Sequence, residues 1–290
     1  MANTNDPDRI APASVAAGQS PAPSFRRVEL SAGIEALVPG DLELKLPERS
    51  SLGADQLHFL VYIPWNEDYL SRVDGRYRDF FTFVLPYLHT RTTDVHIATC
   101  LPFVRELIQT AATPLDEQIV YVAFILHDVG WSQLSEAEIA ASLSTTGVTL
   151  TKTAQGPKEK HALVGRDLAV KLLETYSFTP PLTETQKGWI AQAVLYHDKP
   201  WELAKRGELP LEIKLVCDVD HLWSLTHENF WQDTVRKGVT PPAYLDQLEK
   251  EVDGYFVTEP GKAKARHLLQ ERRQEVALWA KANDGAGGRN

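Results

Sequence analysis

Apolar residues recur at helical spacing along most of the chain from about residue 40 onward. This spacing places apolar side chains on one face of a helix. It predicts helices over roughly 66–72, 77–88, 94–111, 116–128, 136–143, 159–176, 184–197, 208–229, 241–255 and 259–282. Strand patterns are few: Leu57–Ile63 is the best of them, and Val148–Lys152 is a second, shorter one. The pattern therefore predicts an all-α fold with minor β decoration.

Several predicted helices carry recognisable start and stop residues. Thr113-Pro114 fits the start of the helix over 116–128, and Gly130 fits its end. Thr183 with Gln186 forms a capping-box pattern, and Pro200 is expected to stop the helix that precedes it. These signals place a histidine at or near the C-terminal end of two helices.

The two ends of the chain differ in composition from its body. Residues 2–24 are rich in Pro, Ala and Ser and hold almost no large apolar residue, so they cannot bury enough surface to offset the entropy of ordering. They also lack the basic start and apolar core of a secretory signal. We predict a disordered tail (1–25), an N-terminal extension packing on the core (26–89), the core itself (90–230), C-terminal helices of the same domain (231–283) and a flexible tail (284–290).

Composition and charge indicate which kinds of molecule the protein is expected to bind. Of the 290 residues, 43% are hydrophobic and 24% charged, as in ordinary globular proteins, and the net charge is −9. An acidic chain lacks the basic footprint that binds duplex nucleic acid or anionic lipid. Two cysteines cannot staple a fold of this size and suit a reducing compartment. We therefore expect a cytoplasmic protein that acts on a small molecule, of open oligomeric state.

Histidines and aspartates recur once in each of five predicted helices. The candidate metal ligands are His96, His127, Asp128, His161, His197 and Asp218. Such spacing fits one ligand or ligand pair per helix of a bundle, each projecting toward a common centre. Imidazole and carboxylate together bind intermediate divalent metals, and six ligands are too many for one ion that must keep a site open. We expect two ions, Fe or Mn, with Zn also compatible.

Neighbouring residues admit two interpretations. Asp220 competes with Asp218 for the ligand position, but it lies two residues further on and is expected to point elsewhere on the helix. His221 is three residues after Asp218, which could place it on the same face in a catalytic or supporting role. Trp131 follows the His-Asp pair closely, and it either belongs to the core or forms a wall of the substrate pocket.

The order H…HD…H…H…D, together with L-H-D-V-G, resembles the HD-domain superfamily of metal-dependent hydrolases. The resemblance covers about residues 90–230 and implies a helical bundle with the metal in its core. The minimal family pattern falls on the residues His96, His127, Asp128 and Asp218. The extended pattern adds His161 and His197 and is similar to the dinuclear branches.

The resemblance implies a hydrolase that uses metal-activated water on a phosphoester or a small uncharged electrophile. Asp128 would bridge or orient the metals, and Lys160 or His221 would protonate the leaving group. Many phosphohydrolases of the superfamily read H-D-I-G-K, whereas this chain has Trp131 at the position of the lysine. An indole cannot neutralise phosphate, which disfavours a highly charged nucleotide. The expected pocket residues are Tyr87, Trp131, Lys158 and Arg166.

Two other functions stay open on the same residues. An HD-type dinuclear-iron oxygenase would use the same six ligand types to activate O2 and cleave a C–C or C–P bond of a small organic substrate. The absent lysine is compatible with that chemistry, and Tyr87, nine residues before His96, would serve as a lid. A non-catalytic module would be expected to have lost at least one ligand type, and none is lost.

Overall fold

The computed structural model describes residues 24–30, 33–146, 149–150 and 152–287. The predicted disordered tail lies outside these ranges up to residue 23, as do residues 288–290 of the predicted flexible tail. Within the described ranges the fold is all-α, with two short antiparallel hairpins beside the helices. This confirms the predicted fold class. No described helix has both the length and the apolar character that a membrane crossing requires.

Twelve α-helices are present in the described part of the chain, joined by several single-turn 3-10 helices. They are α1 (Ala54–Leu57), α2 (Arg78–Val84), α3 (Thr93–Thr110), α4 (Glu117–Leu126), α5 (Glu136–Leu143), α6 (Gln155–Thr175), α7 (Glu184–Tyr196), α8 (Pro200–Leu203), α9 (Leu211–Leu222), α10 (His227–Lys237), α11 (Pro241–Tyr255) and α12 (Glu259–Gly287). The strands are β1 (Phe25–Leu30), β2 (Ile34–Pro39), β3 (Thr145–Thr146) and β4 (Thr149–Leu150).

The structure differs from the predicted elements in three places. The predicted strand Leu57–Ile63 is wrong, because its first half is helical and only Tyr62 forms a bridge, with Lys45. The single helix predicted over 208–229 is two helices, since the hydroxyl of Thr226 accepts from the backbone N–H of Asn229 and starts α10 anew. The hairpin of β1 and β2 was not predicted.

Helix α4 is the central helix of the fold. Every residue from Ile119 to Leu126 is buried, and the helix packs against α3, α7 and α9. A helix that is apolar all round has no solvent face, so it must be surrounded by others. The carboxylate of Asp116 caps its start by accepting from the N–H groups of Gln118 and Ile119. The helix therefore delivers its C-terminal residues into the middle of the bundle.

Gly130 allows α6 to approach the end of α4 very closely. A Cβ at this position would lie 2.0 Å from the carbonyl oxygen of His161 and 2.8 Å from Cα of Gly165. The predicted role of Gly130 as the end of this helix is wrong, because α4 already ends at Leu126 and Gly130 lies in the 3-10 turn Val129–Gln133. Because Gly130 has no side chain, α6 can pack directly against this turn. The close contact brings the residues of α6 beside His127 and Asp128.

Candidate metal centre

Four helices bring imidazole and carboxylate groups to one buried point. His96 lies in the first turn of α3, and His127 and Asp128 follow directly after α4. His161 lies in α6 and His197 directly after α7. All five are less than one-tenth exposed. Four histidines and an aspartate predicted from their spacing therefore meet in space.

Asp128 divides this cluster into two halves. Its Oδ2 lies 3.5 Å from Nδ1 of His96 and 3.5 Å from Nε2 of His127. Its Oδ1 lies 3.5 Å from Nε2 of His161 and 3.4 Å from Nε2 of His197. A carboxylate with each oxygen directed to a separate histidine pair has the geometry of a bridging ligand.

The fourth group of the first half is Asp220, and here the prediction of Asp218 is wrong. Oδ1 of Asp220 lies 3.5 Å from Nε2 of His96 and 3.3 Å from Nε2 of His127. Asp218 points to the opposite side of α9, where it accepts hydrogen bonds from the backbone of Val257 and from the N–H and hydroxyl of Thr258. Residues two apart on a helix face different directions, so only one of the two carboxylates can reach the centre.

The ring orientation of two histidines is set by the helices they terminate. Nδ1 of His127 donates to the carbonyl of Phe124 at 2.6 Å, and Nδ1 of His197 donates to the carbonyl of Val194 at 2.7 Å. A hydrogen on Nδ1 leaves the lone pair on Nε2, which faces Asp128 in both residues. Carbonyl partners of this kind fix the tautomer that binds a metal.

The charges in the centre act strongly on one another. Burial alone would raise the pKa of Asp128, but the charge of His127 and hydrogen bonds from the histidines hold it well below its usual value. Burial lowers the pKa of His127, yet Asp128 and Asp220 outweigh it and raise that pKa to about 9. Burial and the nearby His197 lower the pKa of His161 to about 4. His127 and His161 therefore hold protons very differently.

The donor set fits divalent metal ions. Nε2 of His96 and Nε2 of His127 are buried without a hydrogen-bond partner, which is costly for a polar atom unless a ligand satisfies it. Nε2 of His161 and Nε2 of His197 face each other at 3.1 Å. The ligand atoms of each half lie within 4.8 Å of one another. Imidazoles and ionised carboxylates are the groups that Fe, Mn and Zn take up, and His127 would release its proton when a metal binds.

A cavity of about 460 Å³ opens onto the centre. This is within the range of small-molecule sites. Trp131 lines it: the indole is buried, donates from Nε1 to Oδ1 of Asp128 at 2.9 Å, and stacks on His161 with ring centroids 3.9 Å apart. The cavity and the centre thus share a wall.

Comparison with known proteins assigns this core to a family. The family model described as "HD domain" matches residues 93–223. The chain contains an HD domain. The matched residues run from the start of α3 to the end of α9 and include every group of the centre described above. No curated protein and no solved structure matches the chain at a significant level.

HD domains form a family of metal-dependent hydrolases that bind divalent ions through histidine and aspartate. The clusters in this HD domain have the composition and spacing to hold such ions. The family match therefore indicates a metal-dependent, hydrolase-like protein, and the geometry supplies histidine and aspartate clusters that could hold the metal. The identity and number of the ions, the substrate and the reaction belong to the proposal below.

The structure divides the remaining predicted site residues into two sets. Lys158 and His221 line the cavity of the HD domain, as does Trp131. Lys160 lies outside it, with Nζ 2.6 Å from Oε1 of Glu138. The guanidinium of Arg166 pairs with Asp167 on the outer face of α6.

Tyr87 likewise does not belong to the cavity lining. It is half-buried in the 3-10 turn Leu85–Tyr87 and packs against the hydrophobic core. Lys160 and Arg166 share helix α6 with Lys158, but α6 turns 100° per residue, so neighbouring lysines and arginines leave on different faces. Adjacency in sequence to a ligand therefore did not imply adjacency in space.

Several polar residues of the cavity were missed as candidates, among them Arg91, Asp198, Asp233 and Arg236. Asp198 follows His197 directly, so the His-Asp dipeptide was an available signal. Arg91 precedes α3, and Asp233 and Arg236 lie on α10, beyond the matched family region. Nothing in their local sequence distinguishes them from surface charges.

Proposed function

We propose that this protein is a hydrolase with a two-ion centre that acts on a small molecule held in the cavity. The observation that carries the proposal is the division of Asp128 between two histidine pairs, one at each carboxylate oxygen. One ion would be held by His96, His127, Asp128 and Asp220. The other would be held by Asp128, His161 and His197.

Divalent ions in these positions supply Lewis acidity and lower the pKa of coordinated water toward neutrality. The chain contributes the rest of the chemistry. Because both ring orientations are set by backbone carbonyls, His127 and His197 hold their Nε2 atoms toward the centre without rearrangement. Trp131 covers the His161 side, which excludes water from that part of the site.

His221 is placed to donate a proton to a leaving group. Its Nδ1 donates to the carbonyl of Cys217 at 2.8 Å, which directs Nε2 to the cavity side, 3.9 Å from Oδ1 of Asp198. Asp198 in turn accepts from Nζ of Lys158 at 3.0 Å. A histidine held by a carbonyl and oriented toward a carboxylate is a common arrangement for general acid–base catalysis. We assign protonation of the leaving group to His221 and not to Lys160, because Lys160 does not line the cavity.

The ligand types do not by themselves exclude a dinuclear-iron oxygenase. The residue that favoured that function, Tyr87, is absent from the cavity lining, so the hydrolase is the better supported of the two. The distinguishing measurement is metal analysis of the full-length protein purified without added metal, combined with assays for ester hydrolysis, nitrile hydration and O2 uptake.

We expect close to two equivalents of divalent metal and turnover of a hydrolysable ester or nitrile without O2 consumption. His221→Gln should lower kcat by about a hundredfold or more while metal content stays unchanged. Two irons with O2 uptake and no hydrolysis would establish the oxygenase instead. Protein that holds no metal after purification and binds none on titration would contradict both.

A further inference from the structure

Arg91 lies on the wall of the cavity, one aromatic ring away from the metal centre. Its guanidinium carbon is 3.9 Å from the ring centroid of Trp131, and the ring centroid of His161 is also 3.9 Å from that indole. Two groups at stacking distance cannot share one face of an indole, so Trp131 is sandwiched between them. Arg91 and His161 therefore flank the same indole from opposite sides, and all three residues line the cavity that opens onto the centre.

Burial lowers the pKa of Arg91 and the charges of Asp128 and Asp198 raise it, but no carboxylate forms an ion pair with its guanidinium within the part of the chain that the structure describes. Its Nε is buried and has no hydrogen-bond partner. The other cations of the cavity are paired: Lys158 lies 3.0 Å from Asp198, and Lys237 and Arg236 lie 3.1 Å and 3.5 Å from Asp233. A guanidinium whose Nε is buried without a partner is unfavourable unless a ligand completes it. Arg91 is thus the cation of this cavity that is available to an incoming anion.

The backbone holds Arg91 in an uncommon conformation. Arg91 has φ of 59° and Thr92 has φ of 68°, both in the left-handed region that non-glycine residues rarely adopt. Helix α10 secures this segment, because Nε2 of Gln232 donates to the hydroxyl of Thr92 at 2.9 Å and Arg236 donates to the carbonyl of Arg91 at 3.5 Å. Such conformations persist where the surroundings over-determine them, which is frequent in ligand sites.

We propose that Arg91, stacked on Trp131, binds the oxyanionic group of the substrate, a carboxylate or a phosphate. The planar guanidinium offers paired N–H donors that match two oxygens of either group, and the indole holds that plane in place. As a substrate assignment the inference rests on the proposed function. The proposal also gives Trp131 a role. Position 131 lacks the lysine that is common in the family, but the indole there stacks on Arg91, a cation from another segment of the chain.

The test is isothermal titration calorimetry of the full-length protein with inorganic phosphate and, separately, with acetate. It is run on protein as purified and repeated after dialysis against a chelator, where anions cannot bind through the ions. The variants are Arg91→Gln, which removes the charge, and Arg91→Lys, which keeps it without the planar donor pair. Arg78→Gln, at an exposed residue outside the cavity, is the matched control.

We expect wild-type protein to bind one of the two anions, which identifies the class of substrate group. Arg91→Gln should raise that Kd by about tenfold to a hundredfold, as loss of a charged hydrogen bond does. Arg91→Lys should give an intermediate Kd, and Arg78→Gln should leave it unchanged. Metal content should be the same in all four proteins.

The proposal is overturned if wild-type protein binds neither anion at millimolar concentration, or if Arg91→Gln binds as wild type does. Circular dichroism checks that Arg91→Gln is folded. If Arg91→Gln is not folded, the Arg91→Lys variant tests the proposal. A wild-type anion Kd in Arg91→Lys would contradict recognition by the paired N–H donors of the guanidinium. Failure of the two-ion hydrolase would appear instead as missing metal, with the dependence of the anion Kd on Arg91 intact in the chelated protein.

Discussion

Each half of the candidate centre contains two imidazoles, but the two halves differ in the number of carboxylates and therefore in charge. The first half, around His96 and His127, has two carboxylates, those of Asp128 and Asp220. The second half, around His161 and His197, has only the Oδ1 atom of the shared Asp128. Carboxylates neutralise a divalent ion, whereas neutral imidazoles do not. We therefore expect the first half to bind its ion more tightly and the second to depend on the bridge.

The largest effect is expected from breaking the bridge. Asp128→Ala removes the carboxylate that both halves share, so both ions should be lost together and turnover should fall by about a thousandfold or more. Elemental analysis and the hydrolysis assay measure this on the same preparation. Asp167→Ala, at an exposed aspartate on α6, is the control and should retain both. Full metal occupancy in Asp128→Ala would refute the bridging assignment.

The next effect distinguishes the two aspartates of α9. Asp220→Asn should empty the first half while the fold remains stable. Asp218→Asn should keep the metal but lower the free energy of unfolding by about 3 kcal/mol, because it disturbs three buried hydrogen bonds to Val257 and Thr258. Urea unfolding and elemental analysis, applied to both variants, separate the two roles. A loss of metal in Asp218→Asn without loss of stability would restore Asp218 as the ligand.

A smaller change should affect the second half alone. His161→Gln removes one imidazole of a half that has a single carboxylate, so the metal content should drop from two equivalents to one. The remaining ion should keep its wild-type affinity, since His96, His127 and Asp220 are untouched. Titration of chelated protein with the metal measures both. Retention of two equivalents would mean that the second half is not a metal site.

The smallest expected difference is in pH dependence. The pKa of His127 is raised to about 9, so this residue holds a proton at neutral pH that a metal must displace. The affinity of the first half should therefore rise about tenfold per pH unit and level off above pH 9. The pKa of His161 is lowered to about 4, so this imidazole is already neutral and adds no such dependence above pH 5. Metal titrations between pH 6 and 9 that show the same slope for both ions would contradict this difference.

Much of the fold was predictable because helical periodicity is a local property. Ten predicted helices have counterparts, and α4 was recognisable as an apolar helix that ends in His127 and Asp128. The capping box of Thr183 and Gln186 is confirmed at the start of α7. Leu57–Ile63 was mistaken for a strand because a short apolar run fits a buried helical turn equally well.

The candidate site was predictable in its histidines and less so in its acids. A histidine at a helix end has few places to point, and His127 and His197 lie where expected. Helix α9, in contrast, is buried on several sides, so both Asp218 and Asp220 enter protein interior and the sequence offers no exposed face that would separate them. The direction of a carboxylate on such a helix depends on how its neighbours pack.

The sequence by itself therefore determined an all-α fold, the helices that carry imidazole, and membership in a metal-dependent family. The first two properties follow from spacing within single segments, and the third follows from the order of histidines and aspartates along the chain. Only the tertiary structure decided that Asp220 faces the centre, that Lys160 and Arg166 do not line the cavity, and that Arg91 stacks on Trp131. These facts depend on contacts between segments far apart in the chain, where helix rotation and close approach, as at Gly130, select among equivalent residues.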